Sequence, residues 1–205
     1  PGSNSDSVAE HAIMLMLCAI KHLIPMDRAT HKGEWRGQRL RGIGELRGLT
    51  LGIIGVGNIG RRVAHLARGF GMKVLGYDPY VPPDELRRRE AEPMSGLSTL
   101  LSQADIVTCH TPLTDETLHM INDKTIAQMK DGAIVINTSR GKVQDERALF
   151  EALTRGKLSA AGLDVWEEEP VPADNPLLNL DNVVATSHVA GVSEQANRNI
   201  ATTVA

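Results

Sequence analysis

Residues 51–60 read Leu-Gly-Ile-Ile-Gly-Val-Gly-Asn-Ile-Gly, and the architecture follows from them. Leu51 to Ile54 is a short apolar run that predicts a buried strand, and Gly55 to Gly60 follows it without a break. Beyond the glycines, Ile59, Val63, Leu66, Ala67 and Phe70 recur at helical spacing and predict a helix with one apolar face. A strand that turns on Gly55-Val56-Gly57-Asn58-Ile59-Gly60 into a helix gives each glycine a physical purpose. Gly55 permits the tight turn, Gly57 lets a diphosphate approach the main chain, and Gly60 lets helix and strand pack closely. The first helical turn then offers unpaired N–H groups and a positive end to an anion. The glycine spacing alone would be an ordinary turn; the strand before it and the helix after it give it meaning.

The same alternation continues outward from this unit. Apolar runs recur at Lys73 to Tyr77, Ile106 to Cys109, Ala133 to Ile136, Ala160 to Val165 and Val183 to Ala185. Helical or mixed segments separate them, among them Arg61 to Phe70, Lys124 to Met129 and Glu146 to Leu153. Strands apolar on both faces that alternate with helices predict an α/β fold with a doubly wound parallel sheet, the Rossmann arrangement, over 51–205. Ahead of it, Val8, Ile13, Met16, Leu17 and Ile20 predict a leading helix from Ser7 to about Leu23 that Pro25 stops, within 1–25. Residues 26–50 are rich in Gly, Arg and Lys without a period, and predict a connecting segment anchored in the core by Trp35.

Bulk properties narrow the partners. Lys plus Arg number 22 against 25 Asp plus Glu, a net charge of -3, with no basic stripe interleaved with aromatics, so nucleic acid is not expected as a partner. The leading helix is interrupted by His11, Lys21 and His22, and neither a membrane span nor a signal peptide is expected. The two cysteines, Cys18 and Cys109, are far apart in apolar runs, which fits a reducing cytoplasm and gives no thiolate metal site.

In a doubly wound sheet, ligands sit beyond the carboxyl ends of the strands. The second strand ends at Asp78, on the order of 20 residues past the glycines, where a carboxylate can accept hydrogen bonds from ribose hydroxyls and repel a 2'-phosphate. That points to NAD rather than NADP. Three later strands deliver further polar groups: Asn137-Thr138-Ser139-Arg140-Gly141, then Asp164 with Glu167, Glu168 and Glu169, then Ser187-His188. An Arg, a carboxylate and a His would converge beside the nicotinamide, a set that suits hydride chemistry. Oxidising a secondary alcohol releases a proton, which a His can take near neutral pH. A carboxylate on the imidazole fixes its orientation and favours the imidazolium, and a guanidinium can grip a substrate carboxylate in bidentate fashion. The pattern alone leaves Glu167, Glu168 and Glu169 open for the carboxylate role.

At these residues the chain resembles the D-isomer-specific 2-hydroxyacid dehydrogenases. The resemblance runs from Pro1-Gly2-Ser3-Asn4 and Ser7-Val8-Ala9-Glu10-His11, through the glycine turn, His110-Thr111-Pro112-Leu113-Thr114 and Ile136 to Gly141. It continues through Gly162-Leu163-Asp164-Val165-Trp166-Glu167-Glu168-Glu169-Pro170 and ends at His188-Val189-Ala190-Gly191. It implies an NAD-dependent oxidoreductase acting on a small 2-hydroxy or 2-keto acid, with Arg140 binding the substrate carboxylate, Glu169 partnering the histidine, and His188 as the acid/base. It also implies that Asn58, Ile59, Asp78, Thr111, Thr138, Ser139 and Asp164 line the NAD site, bordered by Arg140 and His188. Ser187 departs from the proline that such proteins usually carry there.

By the same resemblance, the 205 residues are expected to be the nucleotide-binding domain of a two-domain enzyme, with a separate substrate domain largely absent from this chain and a homodimer formed through the leading helix and the Trp35 segment after it. The alternative carried beside it is an NAD-responsive binding protein of the corepressor type on the same fold. His11, His22, His31, His65 and His119 are expected at the surface or at caps, and no metal is implied. His110 is expected near the cofactor in a structural role, and Arg87-Arg88-Arg89-Glu90 as a solvated helix face.

Overall fold

The computed structural model describes residues 4–34 and 44–195; Trp35 and the anchoring role expected of it lie outside them. In chain order the elements are α1 (Ser5–Ile20), α2 (Leu23–His31), β1 (Thr50–Ile54), α3 (Asn58–Gly69), β2 (Lys73–Tyr77), α4 (Pro83–Arg88), β3 (Glu92–Pro93), α5 (Leu97–Gln103), β4 (Ile106–Cys109), α6 (Asp123–Gln128), β5 (Ala133–Asn137), α7 (Glu146–Thr154), β6 (Leu158–Leu163) and β7 (Val183–Ala185). Among the described residues, seven strands form one sheet in the order β3-β2-β1-β4-β5-β6-β7, every pairing parallel. The order reverses between β1 and β4, which opens a crevice at their carboxyl ends.

Alternating side chains of each central strand feed two separate apolar layers. Leu51, Ile53, Ile106, Ile134 and Ile136 join Ala12, Leu15, Met16 and Val63 on the α1/α3 side. Ile54, Val107, Cys109, Val135 and Ala161 join Leu100, Ile126 and Leu149 on the α5/α6/α7 side. Both faces of the sheet are therefore covered, which explains why its strands read as continuous apolar runs rather than alternating ones.

The structure departs from the sequence reading in four places. The leading helix ends at Ile20, where His22 takes a left-handed backbone (φ 51°), and a second helix starts at Leu23. Pro25 thus stops nothing: it sits in the first turn of α2, where a missing N–H leaves no hydrogen bond unmade. The segment expected to be irregular from residue 26 is helical to His31. The strand expected over Ala160 to Val165 lies two residues earlier, so Asp164 and Val165 have left the sheet. Finally, α5 and the two-residue edge strand β3 were not anticipated, because both are too short to show a period.

No single helix among the described residues is long and apolar enough to cross a membrane. The apolar face of α1 is buried against α3, β5 and β6.

Candidate active site

The first half of the site is made almost entirely of main chain. Gly55 has φ +86°, and a Cβ there would lie 2.8 Å from the carbonyl oxygen of His110 at the end of β4. A Cβ at Gly60 would lie 2.2 Å from Gly55 O, whereas one at Gly57 would meet nothing within 4 Å. The turn is therefore closed on the protein side and open on the other. No side chain caps α3, which starts on Gly57 with no acidic residue in its first turn, so its N–H groups face the opening. Asn58 is exposed there, and Ile59 is partly buried against the core.

Asp78, past the end of β2, folds back on this turn. Its Oδ2 accepts from Val56 N and its Oδ1 from Tyr80 N, each at 3.0 Å. Each oxygen keeps a second lone pair for a ribose hydroxyl. Thr111 stands against the glycine turn from the β4 side: its Cγ2 would be 2.9 Å from a Cβ at Gly55. Its hydroxyl is buried without a hydrogen-bond partner among the described residues. A buried orphan hydroxyl beside an uncapped helix and an open glycine is a donor set that a dinucleotide satisfies.

His110 lies between the two halves. One ring nitrogen is 3.0 Å from Thr108 Oγ1 and the other 3.5 Å from Thr138 Oγ1. Burial pushes its imidazole down to about 4, so it is neutral at physiological pH.

The second half is built from side chains at the ends of β5, β6 and β7. Asn137, at the end of β5, accepts from Ser139 N and Ser139 Oγ, while its amide donates to Arg140 O and to Gln144 Oε1. Thr138 and Ser139 are buried, but Arg140 is exposed. Its Nη1 donates to Ser139 O at 2.6 Å, leaving the rest of the fork for an anion. Gly141 is required by contact: a Cβ would lie 1.8 Å from Trp166 O, so the loops after β5 and β6 touch main chain to main chain.

Of the three glutamates that the pattern leaves open, Glu169 meets His188, with His188 Nδ1 2.6 Å from Oε2, while Oε1 accepts from Trp166 N at 3.0 Å. Partial burial pushes the Glu169 carboxyl up, but the hydrogen bonds from His188 and Trp166 N outweigh it and hold the group below its ordinary value. The carboxylate is thus ionised and accepts, Nδ1 carries the proton, and Nε2 is left for other partners. Glu167 is occupied elsewhere, exchanging hydrogen bonds with Glu146 through Glu167 N and Oε1. Glu168 is exposed.

His188 has a left-handed backbone, φ 56°, and residues on both sides of Ser187 hold it there. Thr186 N donates to Leu163 O, and His188 N to Asp164 O at 2.7 Å. Asp164, expected to line the cofactor site, is fully buried, and its oxygens are turned onto Thr186 Oγ1, Val189 N and Ala190 N. Pinning by Asp164 does the work that a proline at position 187 would otherwise share.

Two contributors escaped the sequence reading. Gln144, fully buried, braces the Arg140 loop, and nothing in its local pattern marks it. His11, expected at the surface, instead sits 3.0 Å from Thr186 Oγ1 and 3.5 Å from Asp164 Oδ1. Helical spacing with Val8 and Leu15 could have placed it on the inner face of α1. His22 stands at the N-cap position of α2 without a side-chain hydrogen bond to it, whereas His31 and His65 make surface pairs, as expected.

A family model described as "D-isomer specific 2-hydroxyacid dehydrogenase, NAD binding domain" matches residues 13–190. The chain is 46% identical, over all 205 residues, to a D-3-phosphoglycerate dehydrogenase from Methanocaldococcus jannaschii, covering 39% of it. It is 45% identical to a hydroxypyruvate reductase from Thermotoga maritima, with 98% of the chain and 64% of the relative covered. The crystal structure of a D-lactate dehydrogenase from Aquifex aeolicus, complexed with NAD and lactic acid, superposes with a TM-score of 0.89 at 38% identity, over 100% of this chain and 65% of that one. The chain thus spans less than two thirds of the length of each.

Proposed function

Since the chain belongs to the D-isomer-specific 2-hydroxyacid dehydrogenases, as their NAD-binding domain, we propose that the protein transfers a hydride between NAD(H) and a D-2-hydroxy acid or its 2-keto acid. The observation that carries this reading is the 2.6 Å His188–Glu169 pair standing at the strand ends next to the Arg140 loop. A bound nicotinamide supplies or receives the hydride; the chain's own residues do the rest. Gly55, Gly57, Asn58, Ile59 and Gly60 hold the diphosphate at the uncapped end of α3, Asp78 the ribose, and Thr111, Thr138 and Ser139 the nicotinamide end, with Asp164 buried behind them. Arg140 grips the substrate carboxylate and draws electron density from the adjacent carbonyl. With Nδ1 tied to Glu169, His188 exchanges its Nε2 proton with the substrate oxygen.

The relatives named above are dehydrogenases and a reductase, which favours an enzyme over a corepressor-type binding protein. The length difference from those relatives supports reading these 205 residues as the cofactor domain, with the other wall of the substrate crevice contributed by a separate domain. The absence of a basic stripe supports a small acid, rather than nucleic acid or a membrane, as partner, and the two unpaired cysteines support a cytoplasmic location. A symmetric homodimer through α1 is supported by a shallow apolar cavity of about 490 Å³ lined by Ile13, Met14, Leu17, Leu23, Leu66 and Phe70.

In the full-length protein, His188→Ala is expected to abolish NADH oxidation by 2-keto acids while leaving NADH affinity, read by fluorescence, nearly intact. Joint loss of both would remove His188 from the proton-transfer role.

A further inference from the structure

The leading helix reaches the acid/base end of the site. Ser7 Oγ donates to Ala190 O at 2.7 Å, and the Asn4 amide nitrogen occupies the space beside Gly191, 2.7 Å from where a Cβ would stand. His11 lies one turn further on, its side chain 14% exposed, with Nε2 facing Thr186 Oγ1. Counting protons fixes the direction of each bond. The Thr186 hydroxyl has one proton, which goes to Asp164 Oδ1 at 2.6 Å. Thr186 Oγ1 therefore accepts from His11, whose Nε2 carries the hydrogen. Burial pushes the His11 imidazole down, opposed in part by Asp164, which keeps the ring a neutral single donor on this side. Asp164 in turn accepts from Val189 N and Ala190 N through its carboxylate, and from His188 N through its main-chain oxygen.

We propose that His11 is a positioning residue for the acid/base histidine: its N–H on Thr186 keeps the Asp164 carboxylate aligned on the backbone after residue 188, and so keeps the His188 imidazole on Glu169. The inference rests on the reading of His188 as the proton-transfer group. His11 acts through Thr186 and Asp164. The role falls to a residue well over a hundred positions upstream of the group it serves, brought there by the packing of helix α1 on the sheet.

The test uses the full-length protein, the single variants His11→Ala, His11→Gln and Thr186→Val, the double variant of the first and third, and His188→Ala as a reference. His11→Ala is expected to lower kcat between about tenfold and a hundredfold, because a small misplacement of the proton-transfer group has that effect. NADH affinity stays within about twofold, since the glycine turn does not depend on this network. His11→Gln, which keeps an N–H donor without an imidazole, recovers kcat to within about threefold of the parent. The double variant His11→Ala with Thr186→Val is no worse than either single change, because both cut one chain of contacts. An unchanged kcat in His11→Ala, or a Gln variant as impaired as the Ala variant, overturns the proposal. A second readout is independent of turnover. The proton on His188 Nδ1, in its short bond to Glu169, gives a downfield NMR resonance identified by its loss in His188→Ala, and His11→Ala is expected to broaden or shift it. If the parent protein reduces no 2-keto acid, the dehydrogenase reading fails. The resonance still decides the positioning role, which an unperturbed signal in His11→Ala overturns.

Discussion

Asp78 and Asp164 perform the same task in the two halves of the site, and they do so under different conditions. Each stands just past a strand and accepts main-chain N–H groups from the segment it organises: Val56 and Tyr80 for Asp78, Val189 and Ala190 for Asp164. Asp78 is half-buried beside an open glycine turn, so water can replace much of what it offers. Asp164 is fully buried and is joined by Thr186 and His11, so nothing replaces it. The cofactor half is shaped by sterics, with glycines setting the path and a carboxylate trimming it. The catalytic half leaves Arg140, Glu169 and His188 exposed and rests them on a desolvated polar network around Asp164, in which each member depends on the others being satisfied.

The contrast can be broken most forcefully at Asp164. Asp164→Ala removes the acceptor of the buried Ala190 amide, the part-buried Val189 amide and the Thr186 hydroxyl proton, and a loss of about 3 kcal/mol or more is expected in chemical denaturation. A loss under about 1 kcal/mol would make the two carboxylates equivalent and sink the comparison. Next in size is the pH response of His110, which sits between the halves. Its folded-state pKa is depressed from 6.5 to about 4, so between those values the unfolded chain binds more protons than the folded one. Stability is therefore greatest above 6.5 and falls as pH drops toward 4, by up to about 3 kcal/mol. His110→Gln should flatten that slope in unfolding curves measured across the window. Glu169 works in the same direction at more acid pH. Its carboxyl lies below its ordinary value in the fold, so its contribution is present above the ordinary carboxylate range and is lost as pH falls through the lowered value.

A smaller effect is expected at Asp78. Asp78→Ala should cost about 1 kcal/mol of stability, because solvent reaches the amides it leaves. Its clearer signature is a relative gain in NADPH use, measured as the ratio of kcat/KM for the two cofactors; an unchanged ratio would confine Asp78 to holding the turn. The smallest change separates neighbours. Glu168→Gln should leave stability within about 0.5 kcal/mol and kcat unaltered, whereas Glu169→Gln lowers kcat, and equal kinetics for the two would remove Glu169 from its assigned partnership.

The same division governs what could be read from the amino acids. The glycine turn, β1, β2 and Asp78 were legible because steric demands at Gly55 and Gly60 admit a single residue type at fixed offsets. Arg140, Glu169 and His188 could be singled out because they follow apolar runs, but choosing Glu169 over Glu167 needed family likeness; the pattern does not encode that Glu167 is engaged by Glu146. Gln144 and His11 went unrecognised because their partners are distant in sequence and their types are common on surfaces. Pro25 misled for a local reason: a helix start tolerates it as readily as a helix end. Asp164 was placed inside a strand because apolarity continues through Val165, while the sheet stops at Leu163.

Gly141 has a consequence for anyone exchanging parts between relatives. With no room for even a methyl group between it and the peptide after Trp166, the guanidinium-bearing loop and the glutamate-bearing loop form a single rigid module. Transplanting one without the other would set mismatched backbones against each other, so altered substrate preference is better sought by swapping the segment from β5 through the cap of β6 as one cassette.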